Sequence, residues 1–218
     1  MANSIIDLTG SIESQTLTFL RLLFERALDR DYGVVEIVTV DHLNNLKRTF
    51  YNTIHALIDY SYKMSQICYA DVLLGINPRT STRGTRDSIL FLVTFHASLR
   101  YGATPYKSQL EALSSINKSS LKPSVIVDTG SELYCYWILR RPLQINIVGL
   151  DAAENINKRL ALEVGGSADG YDITTVHRLP GTYNFQLSRS DNGARKVTMI
   201  RADGPIYKYE KLVKMFRR

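Results

Sequence analysis

The chain has 218 residues, 44% of them hydrophobic and 22% charged, enough for one sizeable core and far from the composition of a disordered or fibrous protein. Lys and Arg outnumber Asp and Glu by 27 to 21, so the net charge of +6 admits a polyanionic partner without requiring one. Two cysteines without a close-spaced motif, Cys68 and Cys135, argue against a disulfide scaffold, and no run of about 18 apolar residues is present to span a membrane.

Met1-Ala2-Asn3-Ser4 lacks the charged and then apolar pattern of a secretory signal, and a cytoplasmic protein is expected. In chain order, Leu17, Leu20, Leu23, Phe24 and Leu28 recur at helical spacing, predicting an amphipathic helix over residues 11 to 29. The β-branched run 34 to 40 predicts a strand. Asp41 then reads as the N-cap of a long helix reaching Lys63, with Leu43, Leu46, Phe50, Ile54, Leu57 and Ile58 on its buried side.

Strands are predicted at 69 to 76 and 88 to 96, separated by a polar, basic loop. Thr104-Pro105 reads as cap and first position of a helix ending near Ile116. The runs 123 to 128 and 133 to 140 read as a hairpin turning at Thr129-Gly130-Ser131-Glu132. A helix from Asp151 to Val164 stops at Gly165-Gly166, strands follow near 174 to 179, 183 to 187 and 195 to 201, and a short basic helix runs from Tyr209 to Arg218. The class is therefore α/β or α+β, with helices around a mainly antiparallel sheet.

Three segments, in order, carry a resemblance. They are Leu74-Gly75-Ile76-Asn77-Pro78-Arg79 with the following Ile89 to Ala97 strand, the hairpin Pro123 to Trp137, and Asp172 to Phe185 with its Arg178-Leu179-Pro180-Gly181-Thr182-Tyr183-Asn184 string. Together they resemble the primase-polymerase domains of the archaeo-eukaryotic primase superfamily, especially those of plasmid and viral replication proteins. The resemblance covers roughly residues 69 to 187. It divides the chain into a helical and β extension of the same domain (1 to 68), a primase-polymerase-like core (69 to 205) and a basic helix or linker (206 to 218).

The resemblance implies two divalent ions held by carboxylates, which clamp the attacking and leaving oxygens of nucleotidyl transfer. Where the family's first motif places Asp-x-Asp on a strand, this chain has Thr94 and His96. Tyr134 stands where the family has a phosphate-facing His, and of the expected acidic residues only Asp172 matches, as a catalytic remnant. No cofactor is expected, Mg²⁺ or Mn²⁺ being implied only for an active enzyme.

Thr94 and His96 read as strand residues on a pocket face in preference to a new histidine-based metal site. For His177 the alternatives are a nucleotide contact or a buried, hydrogen-bonded ring, for Arg178 a phosphate contact or an internal ion pair, and for Asp172 a turn. Arg79, Arg83 and Arg86 would grip a template strand unless their loop is merely solvated, and Tyr134 and Tyr136 share a strand face on which bases could stack, with Trp137 in the core. Lys208, Lys211, Lys214, Arg217 and Arg218 form a basic end, either phosphate-binding or simply a solvated face.

Three functions are compatible with this pattern. The leading one is a catalytically degenerate domain that serves replication of a plasmid, virus or other mobile element by binding single-stranded or primer-template DNA, or a partner such as a replication helicase. The others are an active primase-polymerase that recruits Asp128 or Glu132 beside Asp172, and a non-catalytic protein-interaction subunit.

Overall fold

The computed structural model describes residues 12–28, 32–65, 70–187 and 193–216. Helix α1 (Ile12–Leu28) forms where the apolar spacing predicts it and buries Phe19, Leu20, Leu23, Phe24 and Ala27 completely or nearly so. Even its polar buried residues are used: Gln15 Oε1 accepts from the Met199 amide at 3.0 Å and the Thr16 hydroxyl donates to the Pro180 carbonyl at 2.6 Å.

Strand β1 (Val35–Val40) also forms as predicted, but the long helix after it does not. Residues Leu46–Tyr51 form strand β2, antiparallel to β1, and only Ile54–Ser65 is helical, as α2. The reason lies in Asp41. Its Oδ1 accepts from the amides of Leu43 and Asn45, both at 2.8 Å, and its Oδ2 from the Asn45 side chain at 2.9 Å, so it closes a hairpin turn instead of capping a helix. Asn44 takes the left-handed conformation (φ 65°) that this turn needs. Leu43 and Leu46, expected on a buried helix face, are 68% and 56% exposed.

Two four-stranded antiparallel sheets result. The first has the order β2-β1-β3-β7, with β3 at Asp71–Gly75 and β7 at Val176–Arg178. The second has the order β10-β5-β6-β4, built on the long strands β4 (Phe91–Arg100) and β6 (Glu132–Gln144), with β5 (Val125–Asp128) and β10 (Thr198–Arg201) beside them. A two-stranded ribbon pairs β8 (Tyr183–Asn184) with β9 (Arg195–Lys196). The expected class holds, with its strands divided between two sheets.

Period-two alternation gives the second sheet two apolar faces, so it is covered on both. Phe95, Ala97, Leu99, Leu133, Cys135 and Trp137 belong to one core with helices α3 (Gln109–Lys118) and α5 (Leu150–Val164). Val93, Tyr134, Tyr136 and Ile138 belong to the other, with α1 and the first sheet. Trp137 is fully buried and its indole donates to the Leu121 carbonyl at 3.1 Å. Each fully buried aliphatic side chain contributes about 1.5 to 3 kcal/mol before entropy, so both cores weigh heavily in stability.

Helix α3 starts later than Thr104-Pro105 suggested. Ser108 caps it, accepting from the Glu111 amide at 3.3 Å, while the Glu111 carboxylate accepts from the amide of Lys107, one residue before the cap, at 2.7 Å; the two bonds fix the start. A one-turn helix, α4 (Ile145–Val148), precedes α5. Helix α5 ends at Gly165, whose φ of 84° and whose position 2.2 Å, measured from a built Cβ, from the Tyr106 hydroxyl leave no room for a side chain. Helix α6 (Tyr209–Phe216) closes the described chain, with Arg217 and Arg218 outside it. No helix among the described residues is long and apolar enough to cross a membrane.

Candidate functional site

Strand β4 carries the two positions of the first motif, and it lies at the edge of its sheet. An edge strand presents amides with no ladder partner. Two asparagines meet that need. Asn77 Oδ1 accepts from the Val93 and Thr94 amides at 3.0 and 3.4 Å, where the pairing with β6 shifts register between Leu92 and Thr94, and Asn157 Oδ1, reaching from α5, accepts from the His96 amide at 2.9 Å.

Asn157 also fixes the His96 ring. Its Nδ2 donates to the Tyr171 carbonyl at 2.9 Å and stands 3.2 Å from His96 Nδ1, which makes Nδ1 the acceptor and leaves Nε2–H to donate to the Gly170 carbonyl at 3.2 Å. His96 is 1% exposed; burial pushes its pKa down to about 4, the Gly170 bond and the nearby Asp172 charge opposing only in part. The ring is neutral at pH 7.

His177, from β7 of the first sheet, meets β4 and β6 of the second. It stands edge-on to His96 at 4.8 Å between ring centroids, stacks on Tyr134 at 4.3 Å, and its Nδ1 is 2.8 Å from the Tyr136 hydroxyl. Burial, and secondarily His96, hold its pKa well below the ordinary histidine value, while burial raises both tyrosines. Four side chains singled out in the sequence, His96, Tyr134, Tyr136 and His177, thus pack on one another as uncharged groups between the sheets. Thr94, 1% exposed, donates its hydroxyl to the Phe95 carbonyl at 2.9 Å.

Asp172 stays outside this cluster. Its Oδ1 accepts from the amide and the hydroxyl of Thr174, both at 2.7 Å, which is an Asx turn at the surface. Among the alternatives the sequence left open for this residue, the turn is the one its bonds describe. The hairpin carboxylates are occupied too: Asp128 accepts from the Tyr101 hydroxyl, the Gln109 side chain and the Gly130 amide, and Glu132 from the Tyr134 hydroxyl.

A pair of divalent ions requires several hard oxygen ligands converging on one point. The residues present do not fit that need. Thr94 and His96 are buried and engaged, Asp172 points its carboxylate into its own turn, and among the described residues no three His, Cys, Asp or Glu side chains are grouped to hold a metal.

Of the expected phosphate-binding cations, Arg79 and Arg178 are buried, and Arg86 is paired at the surface. Arg79 is 1% exposed, lies 2.7 Å from Glu36, donates to the Thr174 carbonyl at 3.1 Å and contacts Ser88 and Thr85; Arg48 pairs with the other Glu36 oxygen. Reaching a phosphate would strip a buried carboxylate of its partner. Arg86 is bidentate to Glu154 at 2.9 and 2.8 Å and also bonds Asp151. Arg178 pairs with Asp71 at 3.5 Å and donates to Gln186 at 2.7 Å. Arg83 is exposed. Tyr136 is fully buried and Tyr134 6% exposed, so neither ring offers a face for a base to stack on.

The signature string does its work in the backbone. Leu179-Pro180-Gly181-Thr182 is a tight turn with φ 92° at Gly181, closed by the Thr182 amide to the Leu179 carbonyl at 3.2 Å and by the Thr182 hydroxyl to the same oxygen at 2.7 Å. Asn184 then donates to the Thr129 carbonyl at 2.9 Å, tying the string to the β5–β6 turn. Sequence reasoning gave no role to Asn77, Asn157, Glu36 or Asp71; the local signals were two charged residues, Glu36 and Asp71, in largely apolar strands.

Two antiparallel sheets, one carrying the strand of Thr94 and His96 and the other leading into the Arg-Leu-Pro-Gly-Thr string, form a fold similar to that of solved primase-polymerase domains. The solved structures it resembles include the primase-polymerase domain of cyanophage S-2L (TM-score 0.65, 13% identity, covering 92% of this chain and 95% of that one). They also include primase RepB′ (TM-score 0.61, 12% identity, 92% of this chain and 61% of that one) and the catalytic domain of RepB′ in complex with initiator DNA (TM-score 0.59, 14% identity, 92% and 93%). No family model matches the sequence, and neither does any curated protein. Coverage of 92% takes in most of residues 1 to 68, which the sequence motifs left outside.

Proposed function

We propose that this chain is a primase-polymerase-like domain that has lost metal-dependent nucleotidyl transfer and acts in the replication of a phage, plasmid or related element by binding nucleic acid. One observation carries the reading: the two first-motif positions are Thr94 and His96, both buried and hydrogen-bonded, with His96 in an uncharged cluster, while Asp172 is held in a surface turn. Without converging carboxylates the fold keeps its scaffold and forfeits the two-ion clamp. Nucleic-acid binding draws support from the basic balance of the chain and from a similar domain solved with initiator DNA.

The active-enzyme alternative draws less support, since Asp128 and Glu132 already serve Tyr101, Gln109 and Tyr134. A primer-synthesis assay with Mg²⁺ and with Mn²⁺, run beside a single-stranded DNA binding assay, tests the proposal. Binding without incorporation is expected. Incorporation that disappears in Asp172→Ala would overturn it.

A further inference from the structure

Arg79, Arg86 and Arg178 are each neutralised by a carboxylate. At another place on the molecule the opposite holds. A cleft of about 570 Å³ lies where the far end of β6 meets the segment leading into α6, and its lining includes Arg140, Arg141 and Lys208, with Glu210 as the sole acid, beside the rings of Tyr207 and Tyr209. All three cations are exposed, and none has a salt-bridge partner among the described residues.

Their placement is fixed by the backbone. The Tyr207 amide donates to the Ile138 carbonyl at 2.8 Å and the Arg140 amide to the Tyr207 carbonyl at 2.7 Å, a short parallel bridge that sets Lys208 beside Arg140 and Arg141. The Tyr207 hydroxyl anchors the segment further, donating to the Lys122 carbonyl at 2.6 Å. Gly204 allows the approach: a Cβ there would stand 2.0 Å from the Pro123 carbonyl oxygen. Lys211 and Lys214, both exposed, extend the positive charge along α6, and Lys211 Nζ lies 5.6 Å from the Tyr207 ring centre.

Unpaired cations grouped around a concavity cost Coulomb repulsion that an anion relieves, and a chain of phosphates supplies negative charge at regular intervals along such a groove. We infer that this cleft, and not the loop of Arg79 to Arg86, is where the domain grips the phosphodiester backbone of a single-stranded nucleic acid; the inference rests on the nucleic-acid-binding function proposed above.

The test uses fluorescence anisotropy with labelled oligothymidylate and oligouridylate of about 15 nucleotides. The whole chain is compared with Arg140→Gln/Arg141→Gln/Lys208→Gln and with Arg83→Gln across a salt series. Loss of three phosphate contacts should weaken binding at least about tenfold and lower the slope of log affinity against log salt by about 2, at about 0.7 per contact, whereas Arg83→Gln changes little. Thermal unfolding of the triple variant, whose changes are all at exposed positions, should match the parent. If the parent binds oligonucleotide and the triple variant binds it equally, this inference fails and the proposed function stands. If the parent binds no oligonucleotide, the proposed function fails as well. Displacement of the oligonucleotide by polyglutamate or by phosphatidylserine vesicles at equal charge would also overturn it, by showing a site for any polyanion.

Discussion

The Tyr136 hydroxyl lies 2.8 Å from Nδ1 of His177, and this one contact joins the centre of the second sheet to the edge strand of the first. With the imidazole neutral, the hydroxyl donates to Nδ1 or accepts from Nδ1–H according to the tautomer. Tyr136→Phe keeps the ring and removes the hydroxyl, leaving Nδ1 of the buried His177 without its partner. It should destabilise the fold by about 1 to 3 kcal/mol, seen as a lower urea midpoint with an unchanged m-value.

The two buried histidines make stability depend on acid. Burial depresses both folded pKa values below the value of about 6.5 that they take when unfolded, to about 4 for His96. The unfolded chain therefore binds protons first. Their contribution is complete above about pH 6.5 and is lost as pH falls toward 4, by about 3 kcal/mol for His96 alone. Urea unfolding at about pH 7.5 and about pH 5 should show this loss, and His177→Phe should flatten the dependence. A loss confined below pH 4 would instead point to carboxylates.

Glu36 is fully buried between Arg79 and Arg48. Arg79→Met leaves that carboxylate with only the half-exposed Arg48 as partner and should cost about 2 to 4 kcal/mol. Arg79→Met with Glu36→Gln should recover part of the loss, because the incompletely paired buried charge is gone. Single-stranded DNA affinity, measured on the folded fraction, should stay at the parent value in both.

Asn157 serves three groups at once, the His96 amide, the His96 ring and the Tyr171 carbonyl. Asn157→Ala leaves them without partners, and a loss of about 2 to 4 kcal/mol is expected. Hydrogen exchange at the His96 amide should accelerate more than at other β4 amides, a pattern that general destabilisation does not produce.

Much of the fold was legible locally. The helical spacing of α1, the β-branched run of β1, the hairpin around Thr129 to Glu132 and the Pro180-Gly181 turn all declare themselves within a few residues. Strand β2 did not, because its core-facing pattern is weak: it is a largely exposed edge strand whose identity comes from Asp41 closing the turn before it. The motif positions Thr94 and His96 could be placed on a strand, but not their fate. His96 depends on Asn157, 61 residues away, and Arg86 on Glu154, 68 residues away. A cation in a loop reads as available for phosphate until the fold reveals the carboxylate beside it.

The asparagines along β4 bear on how copies of this chain coexist. A bare sheet margin invites a strand from a neighbouring molecule, the first step toward fibrils or swapped dimers. Here Asn77 and Asn157 occupy part of that margin by accepting from three backbone amides, those of Val93, Thr94 and His96. Copies of the domain can therefore stand side by side without this stretch of β4 becoming a template for aggregation.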